Sequence, residues 1–543
     1  MVRYLSNILL FLKNYKYTIL TMLYFCVITH WQIRQMSIYQ NYYIINVFNT
    51  LSLVLYLHLF SRGKLRFLFL SIFALLITID AYYGFVIEGV VSMGIISSIL
   101  ETNSNEAFAV SRSLFPGAVI LLSITVFLVF MSANEFKKLK ISRKYSAMLL
   151  VVYVFAGIPS FLILMTSGKF WYKPLFKDKP VLTAQYIVNN QFSLLYGTLS
   201  NVSAYFYEMH HIKNYLKDER TLPEGISLNL KNELPQKIYF VIGEAQYRQH
   251  MSIYGYPIKT TPFLDSLYQS SDNRLSVFHD AFSPAPLTRD ALRMLLTFDT
   301  PQHSSSFTKY KNLIEMAKNA GYQTLWITGH NTINEGSLWE SYAAYIARMA
   351  DFYYFRWNED LHLFSIVEKQ NNPDAKQFFL INLTGSHAPY DNFDEFDKQQ
   401  IHGEGTIADY DRTIHQTDRF IQKFYNMIKN DSSSVFVYIS DHGEFLPNMG
   451  HGFLGKGSAQ FEVPFYTVNC SKTDINGVVT KYIIPEKNKI NTLSMTYILS
   501  ELMGYYISKE QIEYVRQESD YIYHVDGKYY EFDKIELENE IIN

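Results

Sequence analysis

Five apolar stretches occupy the first third of this 543-residue chain. Each is close to the roughly 20 residues that a helix needs to cross a bilayer, although the first two are shorter. Buried helices of a soluble protein are the alternative, which five such stretches in tandem disfavour. The pattern therefore predicts five transmembrane helices, over residues 17–32, 44–60, 67–87, 114–131 and 147–165.

Basic side chains alternate with these stretches and predict an orientation. They concentrate at the N-terminus and in the second and fourth connections, whereas the first and third connections hold only Arg34 and Arg112. By the positive-inside rule, the N-terminus is expected in the cytoplasm and everything after Met165 on the outside. The basic clusters are Arg3, Lys13 and Lys16, then Arg62, Lys64 and Arg66, then Lys137, Lys138, Lys140, Arg143 and Lys144.

Charge divides the chain in the same way. The first 164 residues carry 13 basic and 5 acidic side chains, and the remainder carries 35 and 45. An acidic second part is not typical of a nucleic-acid-binding protein. We expect a transmembrane domain over 1–166, a linker over 167–234 and an exported domain over 235–543. The linker is aromatic and amphipathic, which fits a segment lying on the bilayer or a packed helical hairpin.

Cysteine is scarce in this chain. Cys26 falls in the first apolar stretch and Cys470 in the exported domain, so the two are not expected to pair. The exported domain must then be stable without disulfides. Cys470 is interpreted as a buried packing residue.

The exported domain alternates short apolar runs with helical patterns. Runs at 237–242, 323–327, 377–383 and 434–439 predict strands, and 310–319 and 407–429 predict helices. This alternation indicates an α/β domain with a mostly parallel central sheet between helices. A polar cluster follows each run, and ligands of such sheets bind at the carboxyl ends of the strands. The four clusters should therefore converge.

Several of these clusters contain metal-ligand residue types. Glu244, Asp441 and His442 supply two carboxylates and an imidazole, a set that suits a zinc-like ion lacking one ligand. Thr288, which begins a helical pattern, is the candidate fourth ligand and nucleophile. A helix N-terminus favours phosphate, and a coordinated hydroxyl can attack phosphorus. Taken alone, Thr288 would be an ordinary helix N-cap.

Two further histidines lie beside glycines. His387 and His451 could bind a second metal ion, or donate to a phosphate oxygen or a leaving alcohol. A structural role is the alternative for each.

Eight segments resemble the phosphoethanolamine transferases, membrane members of the alkaline phosphatase and sulfatase superfamily. With five predicted spans before an exported domain, the resemblance extends over nearly the whole chain. The segments are 241–244, 251–257, 260–264, 326–336, 346–351, 385–390, 410–420 and 440–444, the last followed by Gly450 and His451.

The resemblance implies roles for the site residues. Glu244, Thr288, Asp441 and His442 would be ligands of a catalytic Zn²⁺, with Thr288 the nucleophile that becomes modified with phosphoethanolamine. His387 and His451 fall at substrate-binding or second-metal positions. The chain lacks the disulfides and the Cys-Gly-Thr segment of relatives that modify lipid A, and looks closer to branches acting on core sugars or other glycans.

The expected activity is therefore a two-step transfer. Phosphatidylethanolamine gives its headgroup to Thr288, diacylglycerol leaves, and an envelope glycan, such as lipopolysaccharide core or lipid A, accepts the group. A phosphoglycerol transferase using phosphatidylglycerol is the nearest alternative, and a non-catalytic membrane scaffold is a more distant one. The expected enzyme is a monomer in the bacterial inner membrane, with a periplasmic catalytic domain and no nucleic-acid partner.

Overall fold

The computed structural model describes most of the chain. The described residues are 10–35, 42–85, 91, 96–97, 104–155, 201–207, 209–210, 219–230, 234–304, 306–330, 333, 341–357, 359–446, 450–452, 457–525 and 527–535. The end of the fifth predicted span, 156–165, and most of the predicted linker lie outside them. The chain divides into two compact units, and the larger one comprises Ser97–Ala107, Ile212–Gly452 and Lys456–Asn543.

The smaller unit places a helix over part or all of each predicted span. These helices are α1 (Lys16–Gln35), α2 (Tyr42–Leu59), α3 (Arg66–Phe85), α4 (Ser104–Phe136) and α5 (Arg143–Phe155). Within α3 and α4, the segments Arg66–Tyr83 and Gly117–Phe136 are long and apolar enough to cross a membrane. Membrane crossing by all five helices stays a prediction.

Polar contacts join α1 to α4. Glu135 near the end of α4 accepts hydrogen bonds from the backbone amides of Tyr17 and Thr18 at the start of α1, at 3.0 and 2.8 Å. Thr21 then contacts Ser132 at 2.7 Å. The contacts run in opposite directions along the two helices, so α1 and α4 are antiparallel. This is the arrangement expected if the first and fourth predicted spans cross the membrane in opposite directions.

The larger unit is built on a seven-stranded sheet. Its strands are β1 (Lys237–Gly243), β2 (Leu275–Phe278), β3 (Gln323–Thr328), β4 (Phe352–Phe355), β5 (Gln377–Asn382), β6 (Ser434–Ser440) and β7 (Phe465–Asn469). They lie in the order β2-β7-β6-β1-β5-β3-β4. The five strands from β6 to β4 are parallel, whereas β7 pairs antiparallel with β6 and β2. The predicted mostly parallel sheet is confirmed.

Helices surround the sheet. Every residue of β1, β5 and β6 is buried, which is the pattern of strands covered on both faces. The helices are α6 (Pro262–Gln269), α7 (Thr288–Leu296), α8 (Ser306–Lys309), α9 (Leu313–Asn319), α10 (Tyr342–Ala347), α11 (Asp360–Gln370), α12 (Glu395–Gln400), α13 (Thr406–Ile428), α14 (Ile475–Thr480), α15 (Met495–Leu502) and α16 (Lys509–Glu518). Six short strands form three additional pairs: Ile226–Leu228 with Tyr505–Ile507, Ala281–Phe282 with Ile490–Asn491, and Tyr521–Tyr523 with Tyr529–Glu531.

One helix boundary differs from the sequence prediction. The helix expected at 310–319 begins at Leu313, because Asn312 and Glu315 form a capping box. The Asn312 side chain accepts from the Glu315 amide at 3.1 Å, and the Glu315 carboxylate accepts from the Asn312 amide at 3.0 Å.

Candidate metal centre and active site

The four polar clusters predicted to converge do converge. Glu244 follows β1, Asp441 and His442 follow β6, His387 lies in the loop after β5, and His330 follows β3. These four strands are consecutive neighbours in the sheet, in the order β6-β1-β5-β3. The carboxyl edge of the sheet therefore carries all of them.

Glu244 lies at the centre of the site and is fully buried. Its Oε1 accepts a hydrogen bond from the Thr288 hydroxyl at 3.1 Å and lies 3.1 Å from His442 Nε2. The same imidazole nitrogen lies 3.2 Å from Thr288 Oγ1 and 3.4 Å from Asp441 Oδ2. The structure thus brings together the four residues that the sequence predicts as one ligand set.

The backbone fixes the orientation of two of these ligands. His442 Nδ1 lies 2.8 Å from the Gly443 carbonyl and donates to it, so Nε2 is the ring nitrogen that faces the cluster and is available to a metal ion. Asp441 Oδ1 accepts from the amides of His442 and Ala245, at 2.7 and 3.2 Å. Its second oxygen, Oδ2, is left facing the cluster.

Two carboxylate oxygens in this cluster lack hydrogen-bond partners among the described residues. They are Glu244 Oε2 and Asp441 Oδ2, both buried. A buried carboxylate oxygen without a donor is costly, and a bound cation removes that cost. Ligand atoms of Glu244, Asp441 and His442 lie within 4.8 Å of one another. Two carboxylates, one imidazole and the Thr288 hydroxyl form a donor set that fits a four-coordinate zinc ion.

The protonation of the ion-free cluster reflects crowding of like charges. Burial and the neighbouring Glu244 charge raise the pKa of Asp441 to about 7. Burial alone would raise the pKa of Glu244, but the hydrogen bond and charge of His442 outweigh it and lower that pKa. Burial alone would lower the pKa of His442, whereas Asp441 and Glu244 raise it to about 10. Protons therefore occupy the positions that a cation would take.

Thr288 is the first residue of α7, as the sequence predicts. Leu287 occupies the N-cap position, where no side-chain cap is formed, so the interpretation of Thr288 as an ordinary N-cap is wrong. Its hydroxyl instead points to Glu244 and His442. The positive end of the helix dipole lies at this hydroxyl and favours a negatively charged phosphoryl group there.

His451 approaches the cluster from a separate loop. Its ring centroid lies 4.0 Å from that of His442. Its Nδ1 contacts Glu444 Oε2 at 2.8 Å, and Tyr390 donates its hydroxyl to the other oxygen of Glu444. Because Nδ1 donates to the carboxylate, Nε2 is the nitrogen available for a substrate. Burial and the charge of His442 lower the pKa of His451. His442, Glu444 and His451 also form a second group of metal-ligating residue types.

His387 and His330 lie on the opposite side of Glu244. Their rings are 5.7 Å apart, and His330 Nε2 lies 3.7 Å from Glu244 Oε2. His330 was not predicted as a site residue, although its position directly after a strand matched that of the other ligands. His387 Nδ1 donates to the Ala388 carbonyl at 2.6 Å, which leaves Nε2 available.

A buried carboxylate holds the loop that carries His387. Asp360, at the start of α11, accepts from the amides of Thr384 and Gly385, both at 2.8 Å, and from the Asn392 side chain at 2.6 Å. Gly385 has a φ of +53°, and a Cβ there would lie 2.7 Å from the Glu244 amide nitrogen. The loop can approach Glu244 this closely only with glycine at that position.

Known proteins share this domain. Residues 236–467 match the sulfatase family profile. Phosphoethanolamine transferase EptC of Escherichia coli (strain K12) is 29% identical over 272 residues, which are 45% of this chain and 46% of that protein. Phosphoethanolamine transferase CptA of Salmonella typhimurium is 27% identical over 237 residues, 39% of this chain and 40% of that protein. The chain is a relative of the phosphoethanolamine transferases.

The fold likeness to these transferases includes the helical part. The integral membrane lipooligosaccharide phosphoethanolamine transferase A (EptA) of Neisseria meningitidis superimposes with a TM-score of 0.62 and 17% identity. The match covers 91% of this chain and 97% of that one, and it shows a common fold. In sequence, the matches cover less than half the length of EptC and of CptA.

Proposed function

We propose that this protein transfers phosphoethanolamine from phosphatidylethanolamine to an envelope glycan through a covalent intermediate on Thr288. The observation that carries the proposal is the hydroxyl of Thr288, at a helix N-terminus and 3.1 to 3.2 Å from Glu244 and His442. Zinc is the proposed cofactor, held by Glu244, Asp441, His442 and Thr288. When bound, such an ion lowers the pKa of a coordinated hydroxyl and polarises phosphoryl oxygens.

In the first proposed step, Thr288 Oγ1 forms a bond to phosphorus and gives up its proton to water, which returns one when Thr288 leaves in the second step. The bond from phosphorus to the diacylglycerol oxygen breaks, and that oxygen takes up a proton as diacylglycerol leaves. His387 is proposed as the donor: in its imidazolium form Nε2–H gives up the proton, while Nδ1 stays on the Ala388 carbonyl. The N-terminus of α7 stabilises the charge on the transferring group.

In the second proposed step, an acceptor hydroxyl attacks the same phosphorus and the bond to Thr288 Oγ1 breaks. His451 is proposed to accept the proton of the attacking hydroxyl, because Glu444 holds its Nδ1 and leaves Nε2 free. Thr288 recovers a proton as it leaves. Because imidazole is a zinc ligand, His387 and His451 are alternatively proposed to bind a second metal ion.

The proposed setting is the bacterial inner membrane. Two apolar helices and the alternation of basic clusters support a multi-pass protein with a cytoplasmic N-terminus and a periplasmic catalytic domain. The proposed boundaries are 1–166 for the membrane domain, 167–234 for the linker and 235–543 for the catalytic domain, in a monomer. Both the donor and one product are lipids, which suits a membrane-tethered enzyme.

Intact-protein mass spectrometry tests the proposal. The purified full-length chain is incubated with phosphatidylethanolamine in detergent without acceptor, and the adduct is located by peptide mapping. Phosphoethanolamine on Thr288, absent from a Thr288→Ala variant, is the expected result. A phosphoglycerol adduct formed from phosphatidylglycerol instead would establish the alternative transferase. A Thr288→Ala protein that still modifies envelope glycans in cells would refute the role of Thr288.

A further inference from the structure

A groove of about 640 Å³ lies beside the outermost parallel strand, apart from the metal ligands. Edge strand β4 and the residue after it form one side, with Tyr354, Phe355 and Arg356. Helix α11 forms the other side with one face, which includes His362, Ile366 and Lys369. From His362 to Lys369 the helix rises about 10 Å. The volume is within the range of small-molecule binding sites.

One end of the groove, with Phe355, Arg356 and Glu359, lies at the edge of the sheet that carries the active site. Phe355 pairs with Thr328 of β3, and the Arg356 amide donates to the Thr328 carbonyl at 3.0 Å. His330, two residues farther along, lies 3.7 Å from Glu244. Three strand spacings separate β4 from β1, which is about 14 Å. A ligand of a few linked rings in the groove can therefore extend toward Thr288.

The charges of the groove favour an anion. Arg356 and Lys369 are exposed, and neither has a hydrogen-bonding or ionic side-chain partner among the described residues. The one acidic residue of the lining, Glu359, is 3.1 Å from His362. Arginine presents a planar set of donors that matches phosphate, and lysine adds a mobile cation. The half-buried ring of Tyr354, which belongs to the same apolar cluster as Ile366 of α11, adds flat apolar surface to the groove.

We infer that this groove binds the acceptor, and that the acceptor is a phosphorylated glycan. Arg356 and Lys369 contact its phosphate groups while a sugar ring lies against Tyr354. The inference rests on the proposed transferase function, because it assigns the second substrate of that reaction to a place in the fold. The lipid donor, whose headgroup is a single zwitterionic phosphodiester, would not need two separated cations.

Binding of core oligosaccharide to the full-length chain in detergent tests the inference. The probe is phosphorylated core oligosaccharide released from lipopolysaccharide by mild acid, with the same material after dephosphorylation as its partner. We expect calorimetric titration to give weaker binding by about 3- to 10-fold for an Arg356→Gln/Lys369→Gln double variant. The double variant should bind the two probes equally, whereas the unmodified chain should prefer the phosphorylated one. Lys509→Gln, an exposed charge on another helix, is the matched control and should change nothing.

Glu359→Gln supplies a test of opposite sign. Removing the acid should strengthen binding of the phosphorylated probe, because the remaining groove charge is more positive. Adduct formation on Thr288 from phosphatidylethanolamine should be unchanged in all these variants. Unchanged affinity in the double variant would overturn the inference, and so would slower adduct formation, which would assign the groove to the donor. Failure of the proposed function would show itself separately, as absence of any adduct on Thr288 in the unmodified chain.

Discussion

Asp441→Asn should be more stable than the wild-type protein in the absence of zinc and less stable in its presence. In the ion-free protein, Asp441 and Glu244 are buried next to each other, and each has an oxygen without a hydrogen-bond partner in the described part of the chain. Asparagine keeps an oxygen for the His442 and Ala245 amides and removes one negative charge. Asp441→Asn should therefore stabilise the ion-free protein and abolish its response to zinc.

The pKa of Asp441 gives the size of the effect. A carboxyl group whose pKa rises from 3.8 to about 7 on folding destabilises the native state by on the order of 4 kcal/mol when fully ionised. With an unfolding entropy of about 2.1 cal/mol/K per residue and roughly 300 residues in the unit, 4 kcal/mol corresponds to about 6 °C in Tm. Asp441→Asn should raise Tm by up to that amount in a chelator at pH 8.

The pH dependence follows from the sign of the shift. Because the folded pKa of Asp441 lies above the unfolded value, the native state binds the extra proton between about pH 4 and 7. The free energy of unfolding of the ion-free chain should therefore fall as pH rises through this range. Above about pH 7, Asp441 should add no further pH dependence. The raised pKa of His442 acts in the same direction between its unfolded value of 6.5 and about 10. In chelator, lowering the pH from 8 to 5.5 should reduce the difference in Tm between the wild-type protein and Asp441→Asn.

Zinc should invert the order of stability. Saturation at 1,000 times the dissociation constant adds about 4 kcal/mol to a protein that binds the ion only when folded. Thermal unfolding of the full-length chain in detergent, with chelator and with zinc, measures both effects. Asp397→Asn is the control, since Asp397 is a buried carboxylate paired with Arg419 and His415 rather than with the cluster. Equal melting of wild type and Asp441→Asn in chelator, or an equal zinc shift in both, would refute the assignment of the ion site.

Three further predictions concern the proton-transfer groups, the metal and the loop. Glu444→Gln should lower turnover by about 10-fold or more with unchanged zinc content, because it weakens the contact that orients His451; unchanged turnover would contradict this. Below pH 7, Asp441 holds a proton that zinc must displace, so zinc affinity should fall about tenfold per pH unit for each displaced proton. Chelator competition measures this affinity, and an affinity independent of pH would contradict the prediction. Asp360→Ala should lower the free energy of unfolding by about 3 kcal/mol or more, because three buried donors lose their acceptor; an unchanged Tm would refute this.

The sequence predicted the centre of the sheet better than its edges. The four predicted strands are β1, β3, β5 and β6, whose apolar residues are buried on both faces and form continuous runs. Strands β2 and β4 were missed. Both are only four residues long and lie partly exposed at the two edges of the sheet, so each offers a short pattern, although the sequence of β4 is continuously aromatic. The antiparallel β7 was also missed.

The candidate site was predictable to the extent that ligands directly follow strands. Glu244, Asp441, His442 and His387 were found by this rule, and His330 satisfied it without being selected. The role of Asp360 was not predictable, because it depends on a hydrogen bond to a loop 24 positions away in the chain. The sequence also gave no indication that Glu444 and Tyr390 contact each other and orient His451.

The order of strands in the sheet constrains when the proposed metal ion could bind. Ala245 and Asp441 are joined by a 3.2 Å hydrogen bond although 196 positions separate them in the chain. Closing so long a loop costs conformational entropy, and in the folded sheet the pairing of β6 with β1 holds the loop closed. The ligand set is complete only after β6 has paired with β1, so the ion cannot nucleate folding as it does in small zinc-binding domains. A chain truncated before residue 434 would lack both a central strand and two ligands, and synthesis must pass that point before metal loading begins.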